Sequence, residues 1–201
     1  MWSFACRKYA EELRRADALG ADFLVTHVGS TKGKGADFGI PRVAEAITKI
    51  WAQVRPRQTM VLIENTAGSG QGLGAKWEEI RGMLDAIDGS VRVGVCMDTA
   101  HTFAAGYAIH TADGLRDTVW QIEDVIGWER IRLIHLNDSK ALFDSKVDRH
   151  WHIGQGHIGL DGFQRMLHQP QFAARPWILE TPGETDADDI RNLETVLQLI
   201  R

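Results

Sequence analysis

The amino-acid order predicts an α/β protein of the TIM (β/α)8 barrel type, with about five βα units present in the chain. Three observations lead there. Short apolar runs rich in β-branched residues alternate strictly with amphipathic stretches of helical period, which calls for a parallel sheet with helices outside it. The strands end at residues 27, 64, 98, 135 and 180, a near-regular βα spacing. Each of those ends is a histidine, an aspartate or a glutamate. A doubly wound sheet is the alternative, but it would carry a glycine phosphate fingerprint after its first strand, and none is present.

Taken in order, residues 3–19 read as an amphipathic helix, with Phe4, Tyr9, Leu13 and Ala16 on one face and Gly20 as its stop. Phe23 to Thr26 is a strand running into His27, and a Gly/Lys-rich loop from Thr31 to Gly39 leads through Pro41 into a helix over 41–54. Met60 to Ile63 is a strand ending on Glu64, followed by a Gly-rich loop and a helix over 75–88. Val91 to Met97 is the most apolar strand and ends abruptly on Asp98, with His101 one turn further on. A helix over 111–127, a strand from Ile131 to His135, a long loop from Ser139 to Gly159 and a short helix over 160–168 follow. The last strand, Trp177 to Leu179, ends on Glu180, and an amphipathic helix fills 186–200.

Of the 201 residues, 44% are hydrophobic and 25% charged, enough for one sizeable core of a soluble single domain spanning 1–201. No apolar run reaches the ~18 residues of a membrane span, and the charged residues directly after Phe4 exclude a signal peptide, so a cytoplasmic protein is expected. Cys6 and Cys96 read as small buried residues in a reducing compartment rather than a metal-ligand pair. A net charge of −4 argues against a generally basic nucleic-acid coat but leaves room for a local cationic site.

Singly, each acidic or imidazole strand end could be a helix cap or a loop polar group. Together they are harder to dismiss. His, Asp and Glu make up 35 of 201 residues, so five such ends by chance would arise on the order of once in ten thousand. In a parallel barrel these ends converge on the face that carries active sites. The long loop adds Asp148 and His150, whose Asp-x-His spacing points both side chains the same way in an extended segment. With His101 they form a nitrogen and oxygen set suited to zinc or manganese. The eight candidates are His27, Glu64, Asp98, His101, His135, Asp148, His150 and Glu180, too many for one ion and enough for two or three. Clustered divalent ions are the usual apparatus of phosphoester hydrolysis. Lys140, Lys146 and Arg149 cluster in the same loop as phosphate contacts, with a solvated loop as the bland alternative. His110, His152, His157 and His168 lie off the strand ends and read as loop or surface histidines. The glycines of 68–70 and 154–156 read as turns.

The strings HVGS (27–30), IENTAG (63–68), GVCMDTAHTFAAGY (94–107), HLNDSK (135–140), SKVDRHWHIGQGHIG (145–159) and LETPG (179–183) resemble the endonuclease IV family, metal-dependent apurinic/apyrimidinic endonucleases with a xylose isomerase-like TIM barrel. The resemblance runs in the same order over nearly the whole chain. It implies a site of up to three zinc ions: Glu64 bridging two, His27 on one, Asp98, His135 and Glu180 on the second, and His101, Asp148 and His150 on the third. It also implies hydrolysis of the phosphodiester 5′ to an abasic site in double-stranded DNA, leaving a 3′-hydroxyl for base excision repair, with Glu64 and Glu180 as catalytic carboxylates and a monomeric enzyme. Two departures stand out. Val28 occupies a position where the family has proline, and one further zinc-binding histidine would lie in a strand before Met1. Three βα units are expected to be missing from the front, so the 201-residue chain alone is expected to be weak or inactive. Two other readings compete with this one: a sugar isomerase of the related barrels, which has no need of the His101, Asp148 and His150 set, and a non-catalytic remnant.

Overall fold

The computed structural model describes residues 2–183 and 185–201. A first helix, Trp2–Ala18 (α1), buries Ala10, Leu13 and Ala16 and stops at Gly20 with φ 75°; of the expected stripe Tyr9 is half-buried and Phe4 is exposed, because the first turn extends past the neighbouring elements. Strand Phe23–Thr26 (β1) leads to helix Ala36–Val54 (α2), then strand Met60–Glu64 (β2), helix Trp77–Ala86 (α3) and strand Val93–Asp98 (β3). A short helix, Thr99–Ala104 (α4), and a longer one, Ala112–Val125 (α5), precede strand Ile131–His135 (β4). Two residue pairs, Asp138–Ser139 (β5) and His150–Trp151 (β6), form a small antiparallel ladder. Helices Gly159–Leu167 (α6) and Pro170–Ala173 (α7), strand Trp177–Ile178 (β7) and helix Asp186–Leu199 (α8) complete the chain.

The main sheet is parallel throughout, in the order β1-β2-β3-β4-β7. It is an arc of a (β/α) barrel, as expected, with both outer strands unpaired on one side among the described residues. The convex face carries the main core: Val61, Ile63, Val95, Met97 and Ile134 pack against Trp77, Ile80, Met83, Ile122 and Phe163 of the surrounding helices. The concave face holds a smaller cluster, Leu62, Cys96 and Leu133, flanked by Phe23, Val25 and Met60.

Register places the site. Side chains alternate across a strand, so neighbours must be offset by an even number of residues for their ends to share a face. Glu64 lies level with Cys96, two residues short of Asp98, while Asp98 lies level with His135. The second match depends on an irregularity: Val95 pairs with Ile131, but Cys96 pairs with Leu133, so Arg132 is an extra residue. Without that bulge Ile134 would stand beside Asp98 and His135 would point into the helical core. Bulges of this kind leave no hydrophobic-pattern signal in so short a strand.

Several boundaries differ from expectation. α2 starts at Ala36, so Pro41 lies inside it rather than ahead of it. Pro41 is the sixth residue of α2, so its missing N–H leaves the Asp37 carbonyl without its helical partner, at the cost proline carries past the first turn. α4 and the β5–β6 ladder lie within stretches that read as loop. β1 stops at Thr26 and β7 at Ile178, short of His27 and Glu180, because each strand has a ladder partner on one side only.

Candidate metal centre

The eight expected ligands come together. Seven of them, His27, Glu64, His101, His135, Asp148, His150 and Glu180, line one cavity of about 330 Å³ at the C-terminal rim of the sheet. Asp98 lies beneath it, fully buried. Ligand atoms fall into overlapping groups within 4.8 Å of one another: His27, Glu64 and His101; Asp98, His101 and His150; Glu64, Asp98, His135 and Glu180.

Glu64 is the hub. One carboxylate oxygen lies 2.9 Å from His27 Nε2 and the other 2.9 Å from His135 Nδ1. His135 Nδ1 is also 2.9 Å from Glu180 Oε2. Burial by itself would favour the neutral acid at Glu64, yet the His135 and His27 hydrogen bonds hold its carboxyl down to about 2. Burial likewise opposes a proton on His135, but Cys96, Glu180 and Glu64 around it push the imidazole up to about 12. The His135 contact also lowers Glu180, and the Glu64 contact raises His27.

The second group is built differently. Asp98 caps α4: its Oδ1 accepts the His101 backbone N–H at 2.7 Å, which sets His101 on the first helical turn. The helix-cap reading of Asp98 therefore holds, and its other oxygen, Oδ2, lies 3.6 Å from His150 Nε2. His101 Nδ1 lies 2.9 Å from the Asn65 carbonyl oxygen, which can only accept, so that nitrogen carries the proton and Nε2 faces the cavity. His150 is oriented the same way, its Nδ1 3.1 Å from the Glu180 carbonyl oxygen. The two Nε2 atoms meet at 3.4 Å, with Asp148 oxygens 3.2 Å from His101 and 3.4 Å from His150. Burial opposes a charge on His101, but Asp98 and Asp148 push it up to about 9.

Two asparagines that composition does not single out hold this frame. Asn65 Oδ1 accepts the Asp98 backbone N–H at 2.7 Å, and its amide donates to Thr102. Asn137 donates to Asp98 Oδ2 at 2.6 Å and accepts from the Glu180 backbone N–H at 2.7 Å. Each directly follows, or follows by two residues, a strand-end ligand, a signal that reading only the ends passes over. Asp138 is a further missed residue. Its buried carboxylate accepts backbone N–H groups of Ser139, Gly156 and Ile158 at 2.7 to 2.9 Å and pins the long loop that carries Asp148 and His150.

The loop cations separate. Lys146 is tied to Asp144 at 2.6 Å and to the Ala105 carbonyl, which leaves it poorly placed for a phosphate. The Lys140 ammonium lies 3.9 Å from the centre of the Trp151 ring, and Arg149 Nη1 lies 3.3 Å from the Asp148 carbonyl oxygen. Cys96 is buried against His135, and burial pushes its thiol up to about 11; read from the sequence as a packed residue only, it forms with Glu64 and His135 a fourth group whose ligand atoms lie within 4.8 Å of one another. Cys6 is only partly buried. His152 turns away from the cavity to accept from the Asn192 amide at 3.1 Å, and His168 is satisfied by the Gln164 carbonyl on its own helix. Gly68, Gly70 and Gly154 have positive φ, as turn glycines should.

A parallel barrel arc with imidazoles and carboxylates gathered at its C-terminal rim defines a class, and residues 2–201 match the family described as xylose isomerase-like TIM barrel. Within that class, the chain is 41% identical over 194 residues to the probable endonuclease 4 of Chloroflexus aurantiacus strain J-10-fl, covering 96% of this chain and 68% of that one. It is 42% identical over 190 residues to the probable endonuclease 4 of Methanoculleus marisnigri, covering 94% and 67%. Its fold superimposes on the crystal structure of endonuclease IV from Thermus thermophilus with a TM-score of 0.84 at 32% identity, over 99% of this chain and 69% of that one. The chain belongs to the endonuclease IV family and spans about two thirds of the length of these relatives.

Proposed function

We propose that this chain forms the catalytic part of a metal-dependent endonuclease that hydrolyses the phosphodiester 5′ to abasic sites in double-stranded DNA. The observation that carries the reading is the double engagement of Glu64, one oxygen at His27 and the other at His135, next to the independent His101, Asp148 and His150 set. The donor chemistry fits divalent cations. Four carboxylates share the site, and two imidazole nitrogens point at each other at a distance that only a shared proton or a cation makes favourable. Glu64 would bridge two ions with His27 on one; Asp98, His135 and Glu180 would hold the second; His101, Asp148 and His150 the third. Zinc is the assigned metal, up to three ions, with manganese as the alternative. When bound, such ions neutralise charge on the phosphate oxygens and favour ionisation of a nearby water.

The chain's own residues do the rest. Glu64 and Glu180 flank the point where a water oxygen would approach phosphorus, and each can accept its proton. A P–O bond to the water oxygen forms as the bond to the 3′ oxygen of the upstream nucleotide breaks, and the proton taken up from the water passes to that leaving oxygen, giving a 3′-hydroxyl. Asn65 and Asn137 keep Asp98 and Glu180 from rotating out of place. Extruding an abasic nucleotide leaves no base pair to break, which favours such a substrate. Lys140 and Arg149 are assigned to phosphates beside the cavity, Lys146 to a loop-fixing role with phosphate contact secondary. A monomeric, cytoplasmic enzyme is the reading kept; no helix among the described residues is long and apolar enough to cross a membrane, and both cysteines are free, as thiols are in a reducing compartment.

The test is a zinc-supplemented assay on a duplex bearing one abasic site. Incision that leaves a polymerase-extendable 3′ end is expected, and chelation should abolish it. The same assay with the chain extended by the N-terminal third of a relative should run faster, because the sheet then gains strands at its open edges. An isomerisation of a sugar with no strand cleavage would overturn the assignment.

A further inference from the structure

Asp148 is the least supported of the eight candidate ligands. Its carboxylate lies 3.2 Å from His101 and 3.4 Å from His150, and no backbone N–H among the described residues donates to it. Asp98, by contrast, is held by the His101 backbone N–H and by Asn137. The Asp148 side chain is 47% exposed and that of Asp98 0%. The position of Asp148 must therefore come from the chain on either side of it. After Asp148 the β5–β6 ladder takes over, with the Lys140 N–H donating to the Arg149 carbonyl oxygen at 2.9 Å. Before Asp148 the holding point is Lys146.

Lys146 is knotted to three segments at once. Its ammonium donates to the Ala105 carbonyl oxygen at 2.5 Å and to Asp144 Oδ1 at 2.6 Å. Its backbone N–H donates to the Ala104 carbonyl oxygen at 3.0 Å, and its own carbonyl oxygen accepts the Ser69 hydroxyl at 2.6 Å. Ala104 and Ala105 close α4, the helix that carries His101. Ser69 belongs to the Gly-rich loop after Glu64. The knot therefore joins the segments that bear Glu64, His101 and Asp148. Asp144 and Lys146 adopt φ of 58° and 57°, a left-handed backbone that residues with a side chain keep only where contacts hold them. Gly106, with φ 101°, leaves the space, since a Cβ there would strike the Asp144 carboxylate.

We propose that Lys146 is a positioning residue for the ion assigned to His101, Asp148 and His150, its ammonium setting the distance from α4 to the segment that carries Asp148. This rests on the metal-centre reading above. A phosphate would need the ammonium free, and two of its three donors are already taken inside the protein.

Metal binding separates this role from the alternatives. Chelator competition reads zinc affinity, and elemental analysis after dialysis reads the number of ions. Lys146→Met, which keeps the stem but not the charge, should weaken one zinc per chain by about 10- to 100-fold and leave the others in place. Lys146→Arg should restore most of that affinity. Asp144→Asn should repeat the loss, and the double variant should lose no more than either alone, because the two side chains act as one contact. Thermal unfolding in chelator should stay close to wild type in all of them, since an exposed ion pair holds little of the fold. Unchanged zinc affinity in Lys146→Met would overturn the assignment. So would a fall in stability in chelator large enough to account for the zinc lost. Unchanged zinc together with a salt dependence of duplex binding shallower by about 0.9 would overturn it in favour of a phosphate contact. A wild-type chain that holds no zinc would sink both this role and the metal centre. The expected zinc loss in a protein whose zinc-loaded wild type cuts no abasic duplex would keep the positioning role and sink the nuclease reading.

Discussion

The centre has two halves of unlike construction. Glu64 and His135 stand on strand ends of one sheet and are almost wholly buried. Asp148, half-exposed, and His150, mostly buried, are carried by a loop of about twenty residues and reach the site because Asp138 pins that loop's far end through Gly156 and Ile158. The first half is fixed by backbone pairing and the second by side-chain hydrogen bonds. The first should therefore tolerate loss of its surroundings and fail on loss of a ligand. The second should respond to changes well away from the metal positions.

The largest effect is expected where the two halves meet. Glu64→Gln keeps the shape but removes the charge between His27 and His135. Incision should fall by about a thousandfold or more, some ~4 kcal/mol of transition-state stabilisation, while the circular dichroism spectrum stays native. Near-normal turnover would reassign Glu64 to a structural role. The next is a split between halves: His150→Ala should reduce bound zinc by one ion per chain and leave the remainder in place, whereas His135→Ala should reduce the strand-borne ions. Elemental analysis of dialysed protein reads both, and equal losses from the two variants would remove the distinction.

How much of this was legible in the amino-acid order follows the same division. The strand-borne ligands announce themselves, because a β-branched run ending on Glu64, Asp98 or His135 can be read from local pattern alone. The pairing of Asp148 with His150 is legible too, from a spacing that only an extended segment turns into a shared direction. What escaped was anything decided between elements. The Arg132 bulge exists because β3 and β4 need their ends in phase, and neither strand states that by itself. Asn65 and Asn137 matter through atoms 33 and 39 residues away in the chain. Lys146 reads as one more loop cation, yet Asp144 and the Ala105 carbonyl already hold it.

A smaller loss should follow from Asn137→Ala, which touches no ion position. It frees Asp98 Oδ2 and the Glu180 backbone N–H together, so it loosens two residues assigned to the same ion as His135. Support of this kind is worth about 10- to 100-fold in metal affinity or activity. Chelator competition and incision rates should move together in this variant. A fall in incision with unchanged zinc affinity would mean that Asn137 serves the substrate and not the ligands.

The mildest perturbation is pH, and its direction follows from His101. Without a cation its imidazole is raised to about 9 by Asp98 and Asp148 against the opposing burial, so it is protonated through neutrality. A raised imidazole contributes stability that is fully present below its unfolded value near ~6.5 and is lost as pH climbs through the folded value. Metal uptake must expel that proton, so zinc affinity should increase by about tenfold per pH unit for each proton displaced, up to the folded value of His101. The metal-free protein should move the opposite way and lose stability over the same interval. Zinc competition at pH ~6, ~7 and ~8, run beside thermal unfolding in chelator, tests the pair of slopes. His101→Asn should make both slopes shallower by one proton, because the substitution keeps a polar group on the first turn of α4 but carries no titrating proton, while the raised His135 imidazole between Glu64 and Glu180 keeps the remainder. Slopes unchanged in that variant would assign the whole effect to the strand-borne half.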